Sequence, residues 1–304
     1  KEECVIQSID ASTIYDVPNL MLEEGLDKVV LRQLNLERHN PDLTSWNTFL
    51  KRHKNPTNEV TIGLVGKYVE LQDSYKSILE AFTHAGASNE VKVIVKSIHS
   101  EHITSENVSE LLSELNGVLV APGFGERGIE GKIEAIRYVR TNNIPFFGIC
   151  LGMQMAVIEF ARTVLGLADA NSSEMNEATK NPVIDLMEDQ KQIENMGGTM
   201  RLGAWGCTLS PSSTAYNAYN KNSINERHRH RYEYNNSYKT QLEEKGMIST
   251  GINPDTGLVE IIEIPTHPWF VGVQYHPEYK STVANPHPLF KAFIEAALRH
   301  KKSN

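Results

Sequence analysis

Cys150 stands in Gly-Ile-Cys-Leu-Gly, residues 148–152, between the apolar run Pro145–Ile149 and a stretch with Ala156, Val157, Phe160 and Val164 at helical spacing. A cysteine bracketed this way at a strand-to-helix junction is the thiol counterpart of a nucleophile elbow: the glycines keep bulk out of a crowded bend, and the thiol projects at its apex. The start of the following helix favours thiolate, the reactive form. A small buried core residue is the competing reading of a free cysteine, and the flanking glycines weigh against it. An acyl-transferring thiolate needs a proton carrier, usually a histidine held by a carboxylate. Eleven histidines make proximity alone uninformative. The best placed is His276, at the end of an apolar run and followed by Pro277 and Glu278. If the strand continues through them, His276 and Glu278 face the same way, and Glu278 orients the imidazole.

Two more segments bear chemistry. "LVAPGFGERGIEGK", residues 119–132, is a strand running into a Gly-rich loop where backbone N–H groups can approach a ligand. The G-x-x-x-x-G-K-[ST] pattern of a phosphate cradle is absent. An oxyanion hole fits better, with the N–H groups of Gly123 and Leu151 aimed at one developing oxygen and each worth about 3 kcal/mol. An ordinary strand–loop–helix turn stays open. In "NERHRHRYEY", Arg227, Arg229 and Arg231 alternate with His228 and His230. A solvated basic face is the default reading, with capture of a carboxylate or phosphate by one or two arginines the functional one.

The elements that must position these residues are legible from residue 60 onward. "VTIGLVGKY", "VKVIVKSI", "GVLVAPGFG" and "IPFFGIC" read as strands. Helical patterns lie between them, through Tyr75–Gly86, around 105–115 and near 130–141. Strands apolar on successive residues and separated by helices predict an α/β fold with an open, mostly parallel central sheet and helices on both faces. Beyond residue 170, "ANSSEMNEATKNP" and "EDQKQIENMGGTMRLG" read as long loops. "LVEIIEI" and "WFVGVQY" read as strands, and "HPLFKAFIEAAL" as a closing amphipathic helix. Before residue 60, the apolar spacing of residues 16–36 predicts helix broken at Gly25, and the stretches at 37–46 and 51–59, each with an Asn-Pro step, read as linker.

Of the 304 residues 40% are hydrophobic and 22% charged, ordinary for a globular chain. A net charge of −8 argues against general nucleic-acid binding. Cys4, Cys150 and Cys207 make neither a disulfide framework nor a metal motif. No run approaches a membrane span, and a cytoplasmic location is expected. The start lacks both an initiator Met and a secretory pattern, as though cut from a longer polypeptide.

"GICLGMQ" and "HPE" resemble the class I (Cys-His-Glu triad) glutamine amidotransferases. "EVTIGLVGKYVELQDSYKSILEAF", "GFGERGIEGK", "GGTMRLG", "ERHRHRYEYN" and "HPLFKAF" resemble, more narrowly, the glutamine amidotransferase domain of the CTP synthase family. The resemblance extends over essentially the whole chain and implies a flavodoxin-like sheet. It implies that residues 1–57 are the tail of a synthetase domain and linker, and 58–304 the amidotransferase domain. Cys150 would form a γ-glutamyl thioester, His276 would act as base then acid, and Glu278 would orient it. Gly123 and Leu151 would supply the oxyanion N–H groups, and Gln154, Glu174 and Arg231 would join them in binding L-glutamine. Arg127 and Glu130 would belong to a lid answering to GTP. No metal or cofactor is expected in this chain; the full-length enzyme would use ATP with Mg, UTP, and GTP as activator, and assemble as a homotetramer. The ATP and UTP sites would lie in the synthetase domain, which ammonia reaches from the thiol site. The loop departs from the family string Val-Pro-Gly-Gly-Phe-Gly, reading "VAPGFG", so that Pro122 stiffens the approach to the retained Gly123. Two other readings stay open: another elbow-cysteine γ-glutamyl hydrolase, and a non-catalytic regulatory or filament-forming module.

Overall fold

The alternation of β-branched runs with amphipathic stretches is carried into three dimensions in a computed structural model, which describes residues 2–37, 39–186 and 200–303. Helices α1 (Val17–Glu23) and α2 (Leu26–Gln33) are parted at Gly25, whose φ of +75° ends one helix and starts the next. The stretch read as linker holds a helix, α3 (Thr44–Lys54). Its Asn-Pro steps delimit that helix rather than abolish it. Trp46, Phe49 and Leu50, spaced i, i+3, i+4, give it one apolar face, which packs on Tyr15 and Ala87. The Phe49 and Tyr15 rings meet edge to face at 4.9 Å.

The alternating region follows as β1 (Asn58–Gly66), α4 (Lys76–Ser88), β2 (Val91–His99), α5 (Val108–Leu112), β3 (Gly117–Val120), α6 (Ile129–Thr141), β4 (Phe146–Ile149) and α7 (Leu151–Thr163). Next come the short strands β5 (Asn171–Ser172) and β6 (Pro182–Asp185), then β7 (Arg201–Leu209), α8 (Thr214–Tyr219), β8 (Ser223–His230) and β9 (Glu233–Tyr234). The chain closes with α9 (Lys239–Glu244), β10 (Ile248–Ile252), β11 (Val259–Glu263), β12 (Phe270–Val273) and α10 (Pro288–Ser303). The loop expected through "EDQKQIENMGGTMRLG" falls largely on 187–199, outside the described residues. Its last part is corrected: Arg201–Gly203 opens β7, because each residue there is paired to β8.

Nine strands form one sheet in the order β2-β1-β3-β4-β12-β11-β10-β7-β8. The first five run parallel, in the winding expected of a flavodoxin-like sheet, and the rest extend it antiparallel. One face is covered by α6 and α7, through Ile133, Ile136, Met153 and Val157. The other is covered by α4 and α10, through Ile78, Phe82, Phe290 and Phe293. β5, β6 and β9 make a separate small sheet.

The seat of α7 leaves no room at two of its glycines. A Cβ on Gly152 would lie 2.2 Å from the Val120 carbonyl oxygen, and one on Gly148 would lie 2.8 Å from the Gly152 carbonyl carbon. Gly152→Ala must therefore lift the head of α7 off β3. It is expected to destabilise the fold by about 1–3 kcal/mol, read as a lower urea midpoint at unchanged m; a midpoint equal to wild type would show that α7 is not seated so tightly.

Candidate active site

Cys150 links β4 to α7 at φ 51°, ψ −103°, a conformation rarely open to a residue with a Cβ. Its own N–H donates to the Val273 carbonyl at 2.7 Å, tying the bend to the end of β12. The thiol is almost wholly buried at the head of α7, whose first N–H groups lack intrahelical acceptors. The side-chain amide of Gln274 lies 3.8 Å from Sγ. The elbow read from the glycine spacing is thus present, strain included.

His276 and Glu278 are also paired, by a different route. β12 ends at Val273, and His276 caps a 3₁₀ turn, Pro277–Lys280, so the pair is made by a turn rather than by strand alternation. Proline, with its fixed φ, suits the first position of such a turn and ends the strand early. His276 Nδ1 lies 2.7 Å from Glu278 Oε1, both side chains being buried. A carboxylate can only accept here, so Nδ1 carries the proton, and Nε2 is left for Cys150, whose side chain also bears on the imidazole. Burial alone disfavours the imidazolium, but the Cys150 thiolate and the Glu278 carboxylate outweigh it and raise the His276 pKa. The backbone N–H of His276 donates to the Arg227 carbonyl at 2.8 Å, so β8 helps to hold the turn.

Gly123, Cys150, Gln154, Glu174 and Arg231 line one cavity of about 250 Å³. The Gln154 amide donates to the Tyr232 carbonyl at 3.0 Å and to Gln274 Oε1 at 3.2 Å. Glu174 accepts from the Gly125 N–H at 3.2 Å and so tethers the Gly-rich loop. Gly123 faces Leu151, whose Cδ2 would lie 3.5 Å from a Cβ there. His276 and Glu278 are not among the residues that line the cavity. Arg127 and Glu130 lie apart from it, Arg127 on Glu101 at 2.9 Å and over the Tyr68 ring, Glu130 on Arg162 at 2.8 Å.

The basic run is solvated on one side only. It lies on β8, where alternation buries Glu226, His228 and His230 and turns Arg227 and Arg229 outward. The histidines hydrogen-bond each other at 2.9 Å, and burial together with the charge of Arg201 holds both neutral. Buried Arg201 is itself clasped between Glu233 and Glu260. Of the three arginines read as able to capture a carboxylate or phosphate, Arg229 and Arg231 line the cavity. Sequence reasoning missed Phe124, Met200, His230 and Tyr232 as cavity walls, and Gln274, two residues before His276, as a neighbour of the thiol.

A family profile for glutamine amidotransferase class-I matches residues 70–296. The CTP synthase of Flavobacterium johnsoniae is 68% identical over 304 residues, covering 99% of this chain and 57% of that protein. The CTP synthase of Clostridium acetobutylicum is 55% identical over 300 residues, covering 99% and 56%. The solved glutaminase domain of Trypanosoma brucei CTPS, with bound acivicin, is 37% identical at a TM-score of 0.75, and 94% of it is covered. The chain belongs to the class-I glutamine amidotransferases, as a CTP synthase glutaminase domain. It spans little more than half the length of the CTP synthases it matches. A putative GMP synthase subunit from Thermoplasma acidophilum, 16% identical at a TM-score of 0.53, shares the fold.

In this amidotransferase the strained elbow and the raised His276 each predict a stability effect. At ordinary positions glycine is less stable than alanine by about 0.5–1 kcal/mol. At position 150 the order is expected to invert, Cys150→Gly unfolding at higher urea than Cys150→Ala, since only glycine is at ease there. The folded pKa of His276 lies above its unfolded value of about 6.5, so its contribution is full below that value and is lost as pH rises through the folded one. The stability advantage of wild type over His276→Gln is therefore expected to shrink on the alkaline side of neutrality, in urea titrations run across pH. A constant or growing advantage would contradict the raised His276 pKa.

Proposed function

We propose that this chain hydrolyses L-glutamine through a Cys150–His276–Glu278 triad and a γ-glutamyl thioester. Cys150 Sγ attacks the carboxamide carbon, and the oxygen, taking the electron pair of the C=O bond, is held by the N–H groups of Gly123 and Leu151. The C–N bond breaks as His276 Nε2 protonates the departing nitrogen, which leaves as ammonia. Water then adds to the thioester carbon, His276 takes its proton, and the C–S bond breaks to give glutamate and the free thiol. Glu174 meets the α-ammonium group and Arg231 the α-carboxylate, with Gln154 beside them. The cavity is smaller than the roughly 300–1,000 Å³ of drug-sized sites, which favours a free amino acid over a γ-glutamyl peptide. The observation that carries the reading is the strained Cys150 elbow opening into that cavity, with the His276–Glu278 bond at 2.7 Å behind it.

In the full-length enzyme the ammonia serves an ATP- and Mg-dependent amination of UTP to CTP by the synthetase domain of the same polypeptide, within a homotetramer in the cytoplasm. Residues 1–57 lead from that domain and residues 58–304 form the amidotransferase. GTP activates through the lid that includes Arg127, on the Gly-rich loop, and Glu130, in the first turn of α6.

The test is reaction with an electrophilic glutamine analogue, followed by mass, together with ammonia release from glutamine with and without GTP. One covalent adduct per chain is expected, absent in Cys150→Ala, with its formation slowed by about 10²–10⁴-fold in His276→Ala. Cleavage of γ-glutamyl peptides without reaction with glutamine or its analogue would overturn the reading, as would an adduct that survives loss of Cys150.

A further inference from the structure

Among the described residues Lys132 is the largest charged side chain buried without any exposure, on the inner face of α6. Its ammonium donates to the Ala121 carbonyl at 2.7 Å. It would lie 3.8 Å from a Cβ on Gly123, so it sits directly under the loop that carries that residue's N–H. Among the described residues no carboxylate pairs with it. Glu101 and Glu130 are taken by Arg127 and Arg162, and Glu134 and Glu159 by Arg137 and Arg140. The ionisable groups that bear on it are Lys67, at the end of β1, and Cys150, at the head of α7. Lys67 itself donates to the carbonyl of Phe124, one residue beyond Gly123. Taking an unpaired ammonium out of water costs several kcal/mol, and a methionine-like side chain would fill the same space without that penalty. A charge kept in such a place has an electrostatic use.

We infer that Lys132 is a positioning residue for the oxyanion loop. Its amine anchors Ala121, fixes Gly123 against the head of α7 and, when protonated, sets a positive charge behind the point where the acyl oxygen becomes negative. This rests on the triad reading above. Burial, with the like charge of Lys67, presses the Lys132 pKa down to about 7, while the Cys150 thiolate opposes the fall. The benefit is thus greatest on the acid side of neutrality, where the amine is charged.

The experiment compares wild type, Lys132→Met and Lys132→Gln, each checked for folding by circular dichroism and urea unfolding. Their inactivation by an electrophilic glutamine analogue is followed from about pH 6 to about pH 9. Methionine removes both charge and donor; glutamine keeps a donor, and it carries the test should the methionine variant not fold. The maximal inactivation rate is expected to fall at least about tenfold at the acid end, the half-saturating concentration changing by less than about threefold. The gap to wild type should narrow as pH rises past 7. Variants that fold yet react within about threefold of wild type at every pH would overturn the role of Lys132 and leave the triad standing. A wild-type chain that forms no adduct would sink the triad reading and this inference together.

Discussion

The site depends on three neighbouring parallel strands that stop at one level. Val120 of β3 lies beside Gly148 of β4, and Ile149 of β4 beside Val273 of β12. The chain therefore leaves the sheet three times along one short line, once into the Gly123 loop, once into Cys150 and once toward His276. A parallel sheet brings such exits to a single edge, and the crevice beyond that edge is where open α/β folds place ligands. The hydrogen bond from Cys150 N–H to the Val273 carbonyl makes the alignment mechanical. It fixes the elbow relative to β12, which leads into the His276 turn, so Cys150 and His276 share one frame rather than meeting across flexible loops.

The antiparallel extension completes that frame from the other side. β8 accepts the His276 N–H at Arg227 and continues to Arg231 on the cavity wall. Its register on β7 is marked by Arg201, buried opposite His230 and bonded to Glu233 and Glu260. A buried ion cluster of this kind contributes little net stability, because desolvation offsets the attraction. What it adds is specificity, because a slip of one residue would turn Arg201 and the two histidines to the other face and strand their partners.

These two layers differ in how far they could be read from the amino-acid order. The elbow was legible because crowding there admits only glycine at 148 and 152, and the parallel sheet because its strands are apolar on successive residues. His276 and Glu278 were correctly paired from an incorrect geometry: Pro277 stops the strand, and the turn it starts happens to bring i and i+2 together as well. α3 was hidden by its Asn-Pro borders and basic end, although Trp46, Phe49 and Leu50 carried the helical spacing. The run at 226–231 was legible in its arginines and not in its histidines: alternation sends the histidines inward, and only their partners Arg201, Glu233 and Glu260, distant in sequence, make that tolerable. Lys132 left no mark at all, since a lysine in an amphipathic helix is ordinarily its solvated side.

The placement of charge also shows how a chain of net charge −8 can present both signs to one cavity. Screening confines exposed charges to about 8 Å at physiological ionic strength, so the overall sign is not felt inside the cavity. There the wall offers Glu174 on one element and Arg229 and Arg231 on another, a separation suited to the two ends of an amino acid. Glu174 is held by the Gly125 N–H and Phe124 lies under the Arg229 guanidinium, 5.3 Å from its ring centre. The same loop thus touches the acidic and the basic side of the wall, and through Ala121 and Phe124 it rests on Lys132 and Lys67. Any displacement of that loop alters the placement of the Gly123 N–H, the hold on Glu174 and the cover over Arg229 at once. In the mechanism proposed above, substrate recognition and the stabilisation of developing charge are for that reason one mechanical variable.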